Sequence, residues 1–159
     1  MQLYLLRHGI ACEAAEWHGD DASRPLTDEG RERTKEVVEA LRKQGKLRVS
    51  GIWSSPLTRA LETAKIAGEV LDAPVKVVEA LACGATVEGL QAVLRRTRPL
   101  PERLMLVGHE PDCGEMIGEL IGDQAGDYAL KKAGIAALKG SFKAGGMVLK
   151  WKLAPKDVL

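Results

Sequence analysis

Three short segments of this chain hold residue types suited to phosphate chemistry: Arg7-His8-Gly9, Ser54-Ser55-Pro56-Leu57-Thr58-Arg59 and Gly108-His109-Glu110-Pro111. Together they contain two arginines and two of the three histidines, the third being His18. A guanidinium presents a planar fork that matches phosphate oxygens. An imidazole is a competent nucleophile toward phosphorus, and crowding by Arg should keep it neutral, as attack requires. A second imidazole, protonated once phosphate is bound, would stabilise charge on the equatorial oxygens. Two Arg and two His around an anion describe a phosphate pocket. The guanidiniums do the clamping, so neither a metal nor a cofactor is required.

Arg59 adds a peculiarity. It falls in the first turn of its helix, where the macrodipole disfavours a cation by about a few tenths of a kcal/mol. An anion held at the helix N-terminus would explain it. Gly9 and Gly108 are expected to let backbone approach a ligand closely.

The elements between these segments must bring them to one edge. Leu3-Tyr4-Leu5-Leu6 reads as a buried strand. From Thr27, a plausible N-cap, the residues Thr34, Val37, Val38 and Leu41 follow helical spacing, and Gly45 closes the helix. Ile52-Trp53 lies in a second strand. The next helix is expected to start with Ser55 as N-cap and Pro56 at its first position. Val75–Val78 reads as a third strand, and Val87, Leu90 and Leu94 as a third helix. Leu104–Val107 is a fourth strand, followed by a helix with Cys113, Met116, Ile117, Leu120 and Ile121 on one face. Ile135–Leu138 and Met147–Leu153 are closing strands. Strand and helix repeated four times predict an α/β fold, a mostly parallel sheet with helices on its faces. Ligands in such sheets bind beyond the carboxyl ends of the strands, where the Arg and His residues fall. Gly9–Pro25 is the longest unpatterned stretch, and a loop of that length is usually functional.

Composition narrows the class. The 159 residues include 23 Lys+Arg and 22 Asp+Glu, a formal charge of +1. That balance argues against a partner that is nucleic acid or an anionic membrane. No apolar run approaches the ~20 residues needed to span a bilayer, and the N-terminus lacks a secretory pattern. A single domain over 1–159 and a cytoplasmic location are expected. Cys12, Cys83 and Cys113 are odd in number and far apart, so no disulfide framework is implied.

The same segments, with Arg24-Pro25-Leu26-Thr27, Gly30, Ala60, Thr63 and Ala64, closely resemble the histidine phosphatase superfamily across nearly the whole chain. The resemblance implies a three-layer sandwich of the phosphoglycerate mutase-like fold. It implies His8 as the nucleophile that becomes phosphohistidine, with Arg7, Arg59 and His109 binding the phosphoryl group and Arg24 at the rim. Phosphomonoesterases and mutases of the family place an acid after the third strand, in a Leu-x-Glu context. Here that stretch reads Leu81-Ala82-Cys83-Gly84, with no acid. A phosphoramidate tolerates this loss, because its leaving nitrogen can be protonated from solvent. In this and in shortness the chain looks like the SixA-type phosphohistidine phosphatases. The resemblance thus implies, as partner, a protein bearing phosphohistidine, for example a histidine phosphotransfer domain.

Other readings compete. A small-molecule phosphomonoesterase could use Glu79, Glu88 or Glu13 as its acid. A non-catalytic phosphate-binding module would be expected to have lost His8 or an Arg. A metal site is suggested by His8 with Cys12 and His109 with Cys113, each pair four apart. Cys113 falls in an apolar stripe, however, which reads as a small buried hydrophobe, and Arg7 beside His8 would repel a cation.

Overall fold

Alternation along one strand divides the molecule into layers. The computed structural model describes all of residues 1–159. In it, Gln2–Arg7 (β1) turns Leu3 and Leu5 to one face of the sheet and Tyr4 and Leu6 to the other, all four buried. Leu3 and Leu5 join one core with Val87, Leu90, Met116 and Ile117. Tyr4 and Leu6 join a second core with Val37, Leu41, Ala60 and Ala64. A strand buried on both sides is continuously apolar rather than alternating, as Leu3–Leu6 is.

The chain proceeds through Asp28–Lys43 (α1), Gly51–Ser54 (β2), Thr58–Leu71 (α2), Val75–Val77 (β3), Val87–Arg96 (α3), Arg103–Gly108 (β4) and Asp112–Ile121 (α4). It ends in Ile135–Gly140 (β5), Met147–Leu153 (β6) and Pro155–Val158 (α5). The sheet order is β3-β2-β4-β1-β5-β6. The first four strands are parallel, β5 runs antiparallel to them, and β6 runs antiparallel to β5. Helices α1 and α2 cover one face, α3 and α4 the other. This is the α/β fold with a mostly parallel sheet expected from the pattern, and the three-layer sandwich that the resemblance implies. β4 is inserted between β2 and β1, so β1 feeds a helix on one face and its neighbour β4 a helix on the other. The crevice beyond their carboxyl ends is the topological switch point of the sheet.

Local chemistry explains the first crossover. The Thr27 hydroxyl accepts the Gly30 N–H at 2.9 Å, Asp28 and Glu29 occupy the first turn, and Arg42 and Lys43 the last. Gly45 then turns the chain at φ 73°. The start of α2 differs from expectation. The helix begins at Thr58 with Leu57 at the N-cap and no side-chain cap. Ser55, fully buried, stands before it and accepts the Leu57 N–H at 3.2 Å. Ser55 is therefore part of the crevice rather than a helix cap.

The glycine reading also changes. A Cβ on Gly9 would strike the Thr34 hydroxyl, and one on Gly30 would fall on the Ile10 carbonyl oxygen. Gly108 faces only ordinary contacts, its nearest neighbour being Cys113 Sγ at 3.8 Å. Gly9 thus serves the close approach of α1 to the segment after β1, not of backbone to a ligand. Because the obstacle to a side chain at Gly30 is backbone, Gly30→Ala should cost about 3 kcal/mol, the upper end for overpacking. Urea unfolding checks this, and an unchanged midpoint would contradict it.

Candidate active site

The crevice forms because backbone pairing continues past the strand ends. The His8 N–H donates to the Gly108 carbonyl at 3.1 Å, and the Ser55 N–H to Val107 at 3.0 Å. The residues following β1, β2 and β4 are thereby locked side by side. Arg7, His8, Arg24, Arg59 and His109 line one cleft of about 240 Å³, with Ala11, Glu13, Cys83, Glu110 and Lys132. All five residues expected to form the phosphate site are therefore together.

Two imidazoles form its floor. The His8 and His109 rings lie 5.4 Å apart, tilted at 53°. His8 Nδ1 is 2.8 Å from the Gly9 carbonyl oxygen, which can only accept. The proton therefore sits on Nδ1, leaving the Nε2 lone pair free. His109 Nε2 is 2.8 Å from Ser55 Oγ. Ser55 Oγ accepts the Leu57 N–H and can also donate its O–H to His109 Nε2, an arrangement that places the His109 proton on Nδ1.

Both rings are held neutral. Burial is the main cause for His8, with the backbone hydrogen bond opposing and His109, Arg59 and Arg7 adding repulsion; its pKa falls to about 4. His109 is also lowered to about 4, by burial first and then by Arg59. Arg crowding was the expected cause for His8, but desolvation outweighs it.

The guanidiniums are anchored from outside. Arg59 is 5% exposed and donates to the Asp21 carbonyl at 2.9 Å and to its carboxylate at 3.1 Å. Arg24 donates to the same carboxylate at 3.1 Å and to the Cys12 carbonyl at 2.7 Å. Arg24 foremost, and then Arg59, hold the Asp21 carboxyl below its usual range. The Asp21 carboxylate of the Gly9–Pro25 loop stands beside Arg59, but it accepts from Arg24 and Arg59 and not from the helix N-terminus, where the anion was expected. Arg7 donates to the Leu130 carbonyl at 3.0 Å. Three buried nitrogens keep no partner: Arg7 Nε, Arg59 Nε and His109 Nδ1. An unsatisfied buried donor costs about 1–3 kcal/mol, and all three belong to side chains of this cleft.

Several contributors escaped the sequence reading. Glu110 accepts the Gly114 N–H at 2.9 Å and the Leu130 N–H at 2.6 Å, so it ties the segment before β5 to the His109 strand end. The same segment grips the other histidine: the Ala133 N–H reaches the Arg7 and His8 carbonyls at 3.2 and 3.1 Å. Ala133 does this at φ 60°, a left-handed conformation rarely adopted without glycine. Asp112 accepts the Gly84 and Ala85 N–H groups at 2.8 and 3.2 Å, fixing the loop after β3. Only Lys132 carried a readable signal, as a cation just before β5. Of the alternative acids, Glu13 lines the cleft, whereas Glu79 and Glu88 do not. Cys113 is fully buried in the core, its thiol pushed up by desolvation, as a small hydrophobe should be.

A pH dependence follows. Both imidazoles have folded values below the ordinary 6.5. Between 6.5 and about 4 the unfolded chain therefore binds more protons, and stability must fall as pH falls through that window. Between pH 6.5 and about 5 the expected loss is about 1.5 kcal/mol for each ring. Imidazole NMR signals of His8 and His109 should meanwhile stay those of neutral rings at pH 5. Titration of either ring near 6.5 would contradict this.

Comparison with known proteins agrees with the geometry. The sequence model of the histidine phosphatase superfamily (branch 1) matches residues 3–115. An uncharacterized protein of Picosynechococcus sp. is 42% identical over 142 residues, covering 87% of this chain and 85% of that one. Among solved structures, the protein histidine phosphatase SixA complexed with tungstate superposes with TM-score 0.84 at 23% identity, covering 100% of both chains. The alpha-ribazole phosphatase from Shigella flexneri superposes with TM-score 0.74 at 17% identity, covering 98% of this chain and 97% of that one. No helix is long and apolar enough to cross a membrane. With two histidines and three arginines gathered at the switch point of such a sheet, the chain belongs to the histidine phosphatase superfamily.

Proposed function

We propose that this chain hydrolyses phosphohistidine carried on proteins. The observation that carries this reading is the leaving-group side of the cleft. The loop after β3 contributes Cys83 there, and the run Leu81-Ala82-Cys83-Gly84 holds no carboxylic acid. General acid catalysis contributes about 10²–10⁴-fold when an alkoxide must leave. A leaving imidazole needs no such group, since its nitrogen takes a proton from solvent.

In this reading His8 Nε2 attacks phosphorus in line, and the P–N bond of the substrate breaks as a P–N bond to His8 forms. Arg7 and Arg59 hold the equatorial oxygens, His109 Nδ1–H donates to one of them, and Arg24 stands at the rim. Water then attacks the phosphoenzyme, releasing inorganic phosphate and restoring His8. The three unpartnered nitrogens support the pocket, since an oxyanion would accept from each. The partner is a phosphohistidine-bearing protein, such as a histidine phosphotransfer domain, met in the cytoplasm; no nucleic acid or membrane is involved. The SixA likeness supports the same substrate class.

One observation favours a second reading. Glu13 lines the cleft and could protonate an alkoxide, as a small-molecule phosphomonoesterase would require. A substrate panel separates the two. Phosphohistidine should be hydrolysed far faster than sugar phosphates. Glu13→Gln should change phosphohistidine turnover by less than about twofold, and His8→Ala should abolish it. Efficient hydrolysis of sugar phosphates, lost about 10²-fold or more in Glu13→Gln, would establish the phosphomonoesterase instead.

A further inference from the structure

A second basic concavity lies at the opposite end of the sheet. β5 runs antiparallel to β1 and pairs Lys139 with Gln2, so the far end of β5 meets the amino ends of β1 and β4. The register between β5 and β6 shifts at Ala137/Leu138, with Ala137 opposite Trp151 and Leu138 opposite Leu149. Lys150 is left as the extra residue of a bulge, a device that re-aims side chains. The turn after α1 adds Lys46 and Arg48, and the start of β4 adds Arg103.

The resulting hollow measures about 500 Å³, twice the catalytic cleft and within the range of small-molecule sites. Its cations are Lys46, Arg48, Arg103, Lys139 and Lys150, and no Asp or Glu lines it. None of the five forms an ion pair, although the chain is nearly neutral overall. Of their head groups, only Arg103 has a hydrogen-bond partner, the Gln2 side-chain oxygen at 3.2 Å. Like charges gathered without a counter-charge repel one another, and that repulsion is relieved by a multivalent anion. One wall is aromatic: Tyr4 and Trp151 pack with centroids 6.2 Å apart, and the half-buried Trp151 ring has the Lys46 ammonium 6.0 Å from its centroid. A planar ring could occupy that position.

We propose that this hollow binds a nucleoside polyphosphate, the phosphate chain lying among Arg48, Arg103, Lys139 and Lys150 and the base against Trp151. The site is separate from the catalytic cleft and does not depend on the phosphohistidine reading. The test titrates full-length protein with the β,γ-methylene analogue of ATP, which resists hydrolysis, and follows backbone amide NMR shifts. Saturable shifts are expected at residues 45–48, 102–103, 137–139 and 148–151. The double variant Arg48→Ala/Lys150→Ala should weaken binding at least tenfold while keeping the melting temperature. Inorganic tripolyphosphate should bind about tenfold more weakly than the analogue, because it lacks the stacking ring. Shifts confined to the Arg7–His8 cleft, or an affinity unchanged in the double variant, would overturn the site. Equal affinity for tripolyphosphate would overturn the nucleotide assignment.

Discussion

Everything in the cleft depends on burying two imidazoles 5.4 Å apart beside Arg7 and Arg59. Protonation of either ring would add a buried cation to a site already crowded with them. Burial and repulsion act in the same direction, so both rings stay neutral. The hydrogen-bond partners then decide which nitrogen of each ring is free. The Gly9 carbonyl accepts from Nδ1 of His8 and leaves Nε2 free; Ser55 engages Nε2 of His109 and leaves Nδ1 without a partner. One ring becomes an acceptor-ended base, the other a donor. Two identical side chains are thus assigned opposite roles by their neighbours.

Those neighbours are set by the sheet. Gly9 is held by the Thr63 hydroxyl at 3.1 Å, and Thr63 in turn donates to the Arg59 carbonyl at 2.7 Å, so α2 aligns the segment of His8 and a guanidinium together. On the other side, Glu110 and Leu130 link the His109 strand end to Arg7. The cleft is closed by loops whose polar groups are consumed in holding it. The burial that lowers the imidazole pKa values is produced by the same packing.

Much of this was legible beforehand. Continuous apolar runs marked buried parallel strands, and helical spacing with Thr27 and Gly45 marked α1, because local propensity and burial agree there. The strand-end rule placed Arg7, His8, Arg59 and His109 in one cleft. What could not be read came from contacts between distant segments. Glu110 meets Leu130 twenty positions on, in a stretch without periodicity. Gly9 is required by the close passage of α1, a crowding no one-dimensional pattern contains. Ser55 resembled a cap because Ser before Pro usually is one, yet tertiary contact with His109 claimed it. Net charge proved the bluntest quantity: a sum of +1 conceals cationic clusters at both ends of the sheet.

The proposed reaction stands on a covalent intermediate formed at the free Nε2 of His8. The most direct measurement quenches turnover of a radiolabelled phosphohistidine protein and locates the label on the enzyme by mass spectrometry. An acid-labile, base-stable phosphoryl group is expected on His8, absent from His8→Asn. Label on any other residue, or undiminished turnover in His8→Asn, would contradict it.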